Sequence, residues 1–211
     1  MSLADIRTDY QRMTLSEDQV DADPMKQFSL WFQQALDSNV AEPNAMSLAT
    51  VNAQGRPSSR IVLIKDFDAR GITWFTHYIS RKGEELALNP QAALLFFWPA
   101  LERQIRIEGR VERIAESESE SYFKSRPLAS RQGALASEQS RVIKDRALLE
   151  QRFEEVRLQH GDQVPRPSHW GGYRLVPDYW EFWQGRRSRL HDRIVFNNDP
   201  RQGWVRSRLQ P

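Results

Sequence analysis

Residues 104–111 alternate without a break: Ile105, Ile107, Gly109 and Val111 fall on one side, and Gln104, Arg106, Glu108 and Arg110 on the other. A period of two marks a strand with one dry and one wet face, and such strands belong to antiparallel sheets. Residues 45–52, 60–67, 72–77, 92–98, 171–176, 179–184, 192–196 and 203–208 read as further short strands. Turn signals such as Gln54-Gly55-Arg56-Pro57 punctuate them. Asp23 followed by Pro24 marks a helix start, and Phe28, Trp31, Phe32, Ala35 and Leu36 recur at helical spacing over 24–38. Other helical patterns fall near 80–89, 116–125 and 144–160. Many antiparallel strands with a few peripheral helices make an α+β protein built on a barrel.

A chain of 211 residues can bury a real core. The polar, aperiodic residues 1–22 read as a loosely ordered arm, and residues 23–211 as a single domain. The formal net charge of +2 argues against a nucleic-acid partner. There is no cysteine, so disulfides, Cys-ligated zinc and iron–sulfur clusters are excluded. No secretory leader and no apolar run near the ~20 residues of a membrane span is read, so a cytoplasmic protein without a membrane partner is expected. The four histidines show no metal-ligand spacing, and no metal is expected.

What remains is a set of cation-and-hydroxyl clusters. Ser80-Arg81-Lys82-Gly83 sits where a strand passes into a helix, and free amides, helix dipole and two cations there suit a phosphate dianion. Tyr122, Arg126 and Ser130 recur at i, i+4, i+8 and can hold a second phosphate from one helical face, although Pro127 interrupts that helix. Residues 181–193, EFWQGRRSRLHDR, pass from a strand-like run through a turn at Gly185 to a cationic segment. In an extended chain its Arg189, His191 and Arg193 share a face suited to a planar anionic ring; a solvated edge strand shows the same pattern. Two phosphate-suited clusters without a nucleotide motif point to a phosphorylated cofactor and a phosphorylated substrate.

Seven motifs occur in order along the chain: RIVLIK (60–65), SRKGEEL (80–86), LERQIRIEG (101–109), YFKSRPLAS (122–130), ASEQS (136–140), PSHWGGYRL (167–175) and EFWQGRRSRLHDR (181–193). Together they resemble the pyridoxine/pyridoxamine 5′-phosphate oxidases, FMN enzymes of the split β-barrel fold. The resemblance implies that Arg60, Ile61, Val62, Leu63, Phe75, Thr76, Arg81, Lys82, Gln104, Gln139, Ser140, Trp183 and Arg193 contact FMN. It implies that Lys65, Tyr122, Arg126 and Ser130 hold the substrate phosphate, that Arg189 and His191 meet the pyridine ring as catalytic residues, and that Arg7 and Tyr10 fold over the substrate. It further implies a homodimer with FMN between the subunits, and oxidation of pyridoxine or pyridoxamine 5′-phosphate with O2 as the final acceptor.

Departures from the pattern are Phe75 where tyrosine is common and His77 where asparagine is frequent. The ending Arg208-Leu209-Gln210-Pro211 resembles an ending shared with the flavin oxidases of phenazine biosynthesis, which are the rival reading. Those relatives typically lose the lysine equivalent to Lys65, which is present here. A split-barrel carrier of flavin or pyridoxal phosphate without turnover is the non-enzymatic alternative.

Overall fold

The computed structural model describes residues 2–5 and 9–211. Arg7 lies outside the described residues. In chain order the elements are α1 (Pro24–Asp37), β1 (Ala45–Val51), β2 (Pro57–Leu63), β3 (Asp66–Asp68), β4 (Gly71–His77), α2 (Arg81–Leu88), β5 (Gln91–Trp98), β6 (Arg103–Arg113), α3 (Glu116–Ser125), α4 (Leu128–Ala136), α5 (Arg146–His160), β7 (Trp170–Gln184), β8 (Asp192–Asp199) and β9 (Gly203–Leu209). No helix among the described residues is long and apolar enough to cross a membrane.

Seven strands follow the spatial order β2-β1-β5-β6-β7-β4-β3, and β8 and β9 extend from β7. All of the pairings are antiparallel. The two ends of this order, β2 and β3, are neighbours in the chain. Residues 60–67 therefore do not form the single strand their pattern implies. At Ile64 and Lys65 the chain changes partner: the Ile64 amide donates to Asn44 on the β1 side, and the Lys65 amide to Thr73 of β4, both at 2.9 Å. This corner brings the edges of the sheet together and rolls it into a barrel.

The dry face proposed for residues 104–111 is the one observed, with Ile105 and Ile107 fully buried. The segments 171–176 and 179–184 join into one strand, β7. A register shift opposite Glu108 and Gly109 accommodates Pro177, which cannot donate to a ladder. Gly109 is required there, because a Cβ would come within 2.1 Å of the Val176 carbonyl oxygen.

The Asp23 side chain accepts from the Met25 amide at 2.9 Å and Pro24 opens α1, as the sequence implies. This helix presses Phe28, Trp31 and Ala35 into the barrel. The Phe28 ring meets Phe67, Phe96 and Trp180 at centroid distances of 5.0, 5.3 and 5.6 Å. Truncating such a ring costs about 3–5 kcal/mol. Trp31, Trp74, Trp98, Trp170 and Trp180 are all buried, in keeping with anchoring roles.

The segment before α1 departs from a loose arm, since Leu15 and Val20 are buried in the core. Helix α4 has no counterpart in the sequence reading; Gly133 and small residues blur its period. A second, smaller core of Phe123, Ala134, Val164 and Trp170 lies beneath α3 and α4 and carries Phe75 and Tyr122 on its edge.

Candidate active site

The barrel seam opens into a cavity of about 470 Å³. Its walls come from the end of β2 (Val62, Leu63), the corner residue Lys65, the end of β4 (Phe75, Thr76, His77), Lys82 of α2, and the α3–α4 region. Tyr122, Arg126, Ser130 and Gln139 complete it together with Trp170. The sequence placed Tyr122, Arg126 and Ser130 on one helical face. Instead α3 stops at Ser125, Arg126 is extended, and Pro127 opens α4. The three side chains converge at a corner between two helices, because proline cannot continue the first one.

Ser80 caps α2, and Lys82 turns inward and is buried. Its Nζ donates to Gln139 Oε1 at 2.9 Å, to Thr76 Oγ1 at 3.2 Å and to Ser80 Oγ at 3.5 Å, all neutral acceptors. Thr76 Oγ1 donates to the same Gln139 oxygen at 2.9 Å. Burial, reinforced by the Arg60 charge, pushes the Lys82 ammonium down to about 8.

Arg60 is anchored from behind. It donates to Leu48 O at 3.1 Å and Thr50 Oγ1 at 2.6 Å, and its Nη2 lies 3.4 Å from Glu85. Glu85 is buried, which disfavours its charge, yet hydrogen bonds from Thr50, Ser58 and Arg81 win and hold it at about 2. Arg81 donates to Glu85 at 2.9 Å, so neither it nor the exposed Ser140, whose φ is +74°, lines the cavity. The sequence reading missed Glu85, although its i+4 spacing from Arg81 was available as a signal.

On the opposite wall the Tyr122 ring stacks on Phe75 at 3.8 Å. The Arg126 guanidinium lies 4.7 Å over the Trp170 ring. Its Nη1 is buried with no partner. Burial pushes the Tyr122 phenol up and the Arg126 guanidinium down. A buried, unsatisfied guanidinium donor, a lysine without a carboxylate partner and nearby hydroxyls form an incomplete donor set. A group with several acceptor oxygens is the chemistry that suits such a set.

The remaining expected residues gather elsewhere. Trp183 on β7 is paired in register with Gln104 on β6 and Arg193 on β8. The Trp183 ring lies 4.6 Å from His191, and Tyr10 meets both rings at 5.8 and 6.0 Å. Arg189, His191 and Arg193 do not share a strand face as expected. Strand β8 starts only at Asp192, Arg187–Arg189 form a 3-10 turn, and Ser188 and Arg189 have φ of +57° and +61°. Such backbone is costly outside glycine and persists only where surrounding contacts hold it.

The His191 Nδ1 accepts the Arg186 amide at 3.1 Å, which fixes a neutral ring with its proton on Nε2. Burial, aided by Arg189, pushes the imidazole pKa down. Glu181, also missed in the sequence, is buried and binds Arg193 at 2.8 Å and Arg106 at 3.0 Å.

The two clusters occupy opposite ends of β7. Thr76 pairs with Gly171 and Gln104 with Trp183, twelve residues apart (183 − 171 = 12), or roughly 40 Å of strand at ~3.3 Å per residue. Elsewhere the sheet exposes Ile61 of β2 and Phe97 of β5. Ile61 points away from the inward side of β2 that carries Arg60 and Val62, while Leu63 at the strand end reaches the cavity wall.

These features define a split β-barrel with an anion-suited cavity at its seam and a separate aromatic–imidazole–arginine cluster. Comparisons with known proteins agree with that class. Residues 32–160 match the family described as pyridoxamine 5′-phosphate oxidase, and residues 170–211 match the pyridoxine 5′-phosphate oxidase C-terminal dimerisation region. The chain belongs to the pyridoxamine 5′-phosphate oxidase family.

Pyridoxine/pyridoxamine 5′-phosphate oxidases of Janthinobacterium sp. (strain Marseille) and Herminiimonas arsenicoxydans are each 64% identical to it over 100% of both chains. Among solved structures, PhzG from Burkholderia lata 383, in complex with tetrahydrophenazine-1-carboxylic acid, has a TM-score of 0.90 and 33% identity. That match covers 97% of this chain and 100% of the other. The expected α+β split-barrel fold and the expected family are thus both found.

Proposed function

We propose that this protein oxidises pyridoxine 5′-phosphate and pyridoxamine 5′-phosphate to pyridoxal 5′-phosphate as an FMN-dependent homodimer in the cytoplasm. The alcohol and O2 give the aldehyde and hydrogen peroxide; the amine consumes water as well and releases ammonia. The single observation that carries this reading is the incomplete donor set at the seam, above all the orphaned Arg126 Nη1.

Lys82, Thr76 and Gln139 form the cradle for the FMN phosphate, with Arg60 held beside it by Glu85. Arg126, Lys65, Tyr122 and Ser130 grip the substrate phosphate. FMN, when bound, supplies the hydride acceptor. The second cluster comes from the other copy of the chain, because one chain cannot bring both ends of β7 to one ligand. The exposed apolar outer face, carrying Ile61 and Phe97, suits burial against that copy. The match to the family's dimerisation region supports the same arrangement.

His191 enters with its Nε2 proton free to donate to the phenolic oxygen of the pyridine ring. Arg189 adds positive charge beside it and stabilises the phenolate. With Nδ1 occupied by the Arg186 amide, His191 acts as a donor and not as a base. Glu42 lies in an exposed left-handed turn and does not line the cavity.

The phenazine-type reading has the PhzG likeness behind it, at 33% identity. The 64% relatives and the presence of Lys65 in the cavity with Tyr122, Arg126 and Ser130 favour the phosphorylated pyridine. The test is to load the protein with FMN, exclude oxygen, add pyridoxine 5′-phosphate and follow flavin absorbance near ~450 nm. Bleaching reversed by air, with formation of the aldehyde, is the expected result. Bound flavin that stays oxidised would overturn the proposal.

A further inference from the structure

The N-terminal arm meets the second cluster through Asp9 and Gln11, which contact Arg187, through the Leu15 amide, which donates to Asp192, and through the carboxylate of Glu102. Glu102 stands in the turn between β5 and β6 with φ +55° and ψ 37°, the left-handed region. Its Oε2 accepts two consecutive arm amides, Gln11 and Arg12, each at 2.9 Å. Its backbone carbonyl accepts the Gly185 amide at 2.7 Å and Gln184 Nε2 at 3.2 Å. One residue therefore ties the arm to the end of β7, where Trp183 lies.

Tyr10 immediately precedes the two tied amides, and its ring closes against Trp183 and His191. The ring rests on Gly185, where a Cβ would come within 2.7 Å of it, so the seat exists only for glycine. A glutamate in left-handed backbone is unfavourable unless its side chain is used. Here the carboxylate meets two donors whose bonds are strengthened by its charge.

We infer that Glu102 is a positioning residue for substrate binding: its carboxylate latches Gln11 and Arg12 so that Tyr10 completes the wall formed by Trp183 and His191. The inference rests on the proposed oxidase function, in which that wall meets the pyridine ring.

The test compares Glu102→Gly, which relieves the backbone and removes the latch, with Glu102→Gln, which keeps an acceptor. Hydrogen exchange of the Gln11 and Arg12 amides is measured first, in the FMN-loaded protein. Exchange is expected to accelerate roughly tenfold or more in Glu102→Gly and less in Glu102→Gln. The Kd for pyridoxal 5′-phosphate and the KM for pyridoxine 5′-phosphate rise about tenfold in Glu102→Gly, with kcat within about twofold. Tyr10→Ala produces the same rise, and combining it with Glu102→Gly adds little further.

Unchanged exchange overturns the latch. Accelerated exchange with unchanged affinity, or effects that multiply in the double variant, overturns its role in binding. Exchange and product affinity need no turnover, so failure of the oxidase reading shows separately, in the bleaching experiment.

Discussion

Glu181 grips Arg193 with both carboxylate oxygens, at 2.8 Å to Nε and 3.0 Å to Nη2. The glutamate is buried and also receives Arg106 at 3.0 Å and the Tyr179 hydroxyl at 3.2 Å. Burial opposes its charge, but these partners hold its pKa below the ordinary carboxylate value. Removing Glu181 leaves Arg193 and Arg106 without their carboxylate, but both arginines reach solvent, so the cost is about 1–3 kcal/mol. Glu181→Ala is therefore expected to lower the urea midpoint and, by releasing Arg193 from its fixed position, to weaken FMN binding. Equilibrium unfolding and an FMN titration check both effects.

Lys82 gives a pH dependence whose sign follows from its burial. Its pKa falls from 10.5 to about 8 in the folded chain. Below pH 8 the folded and unfolded states both carry the proton, and the cost of burying it, about 3 kcal/mol, is fully present. Between pH 8 and 10.5 the folded lysine loses its proton first, so ligand-free stability contributed by this group rises with pH. FMN affinity changes the other way, weakening by up to roughly tenfold per pH unit above 8 as the phosphate loses its ammonium partner. Lys82→Met is expected to raise the melting temperature of the ligand-free protein, flatten its alkaline pH dependence and weaken FMN binding. Thermal scans and titrations across that range measure these changes.

Arg126 combines a ring contact with an unsatisfied planar donor, and lysine can lie over a ring but cannot supply the planar fork. Arg126→Lys keeps the charge but loses the fork. The expected outcome is a KM for pyridoxine 5′-phosphate raised about 10- to 100-fold with a much smaller change in kcat. Steady-state kinetics on the variant decide it.

His191 is neutral because its Nδ1 holds the Arg186 amide and its pKa is pushed down. Activity should therefore show no loss from this group near neutrality, falling only on the acid side as the ring becomes protonated. His191→Gln, which retains a donor near the Nε2 position, should keep more kcat than His191→Ala. The pH–rate profiles of the two variants provide the comparison.

Residues 104–111 revealed their buried face because alternation there is complete, and Asp23-Pro24 revealed α1 because a cap and a proline are local signals. The corner at Ile64 and Lys65 left no such mark. It depends on Asn44 and Thr73, which approach only when the sheet rolls up. Ordered motifs singled out Lys65, Tyr122, Arg126 and Ser130 of the candidate site, which line the cavity, yet its supports were not legible. Glu85, Glu102 and Glu181 look like ordinary charged residues until long-range contacts bury the first and third and set the second beneath the arm. The alternation of Arg189, His191 and Arg193 misled because a left-handed pair at Ser188 and Arg189 interrupts the extended chain.

The central claim is that each site is built from the seam of one chain and the Trp183–His191 cluster of another. Its most direct test mixes Arg126→Ala protein with His191→Ala protein, after dissociation and reassociation of the subunits. Each variant alone damages both sites of its dimer. A mixed dimer contains one doubly damaged site and one intact site, so random pairing predicts recovery of about a quarter of wild-type activity. No recovery from a mixture shown to have exchanged subunits would contradict the shared site.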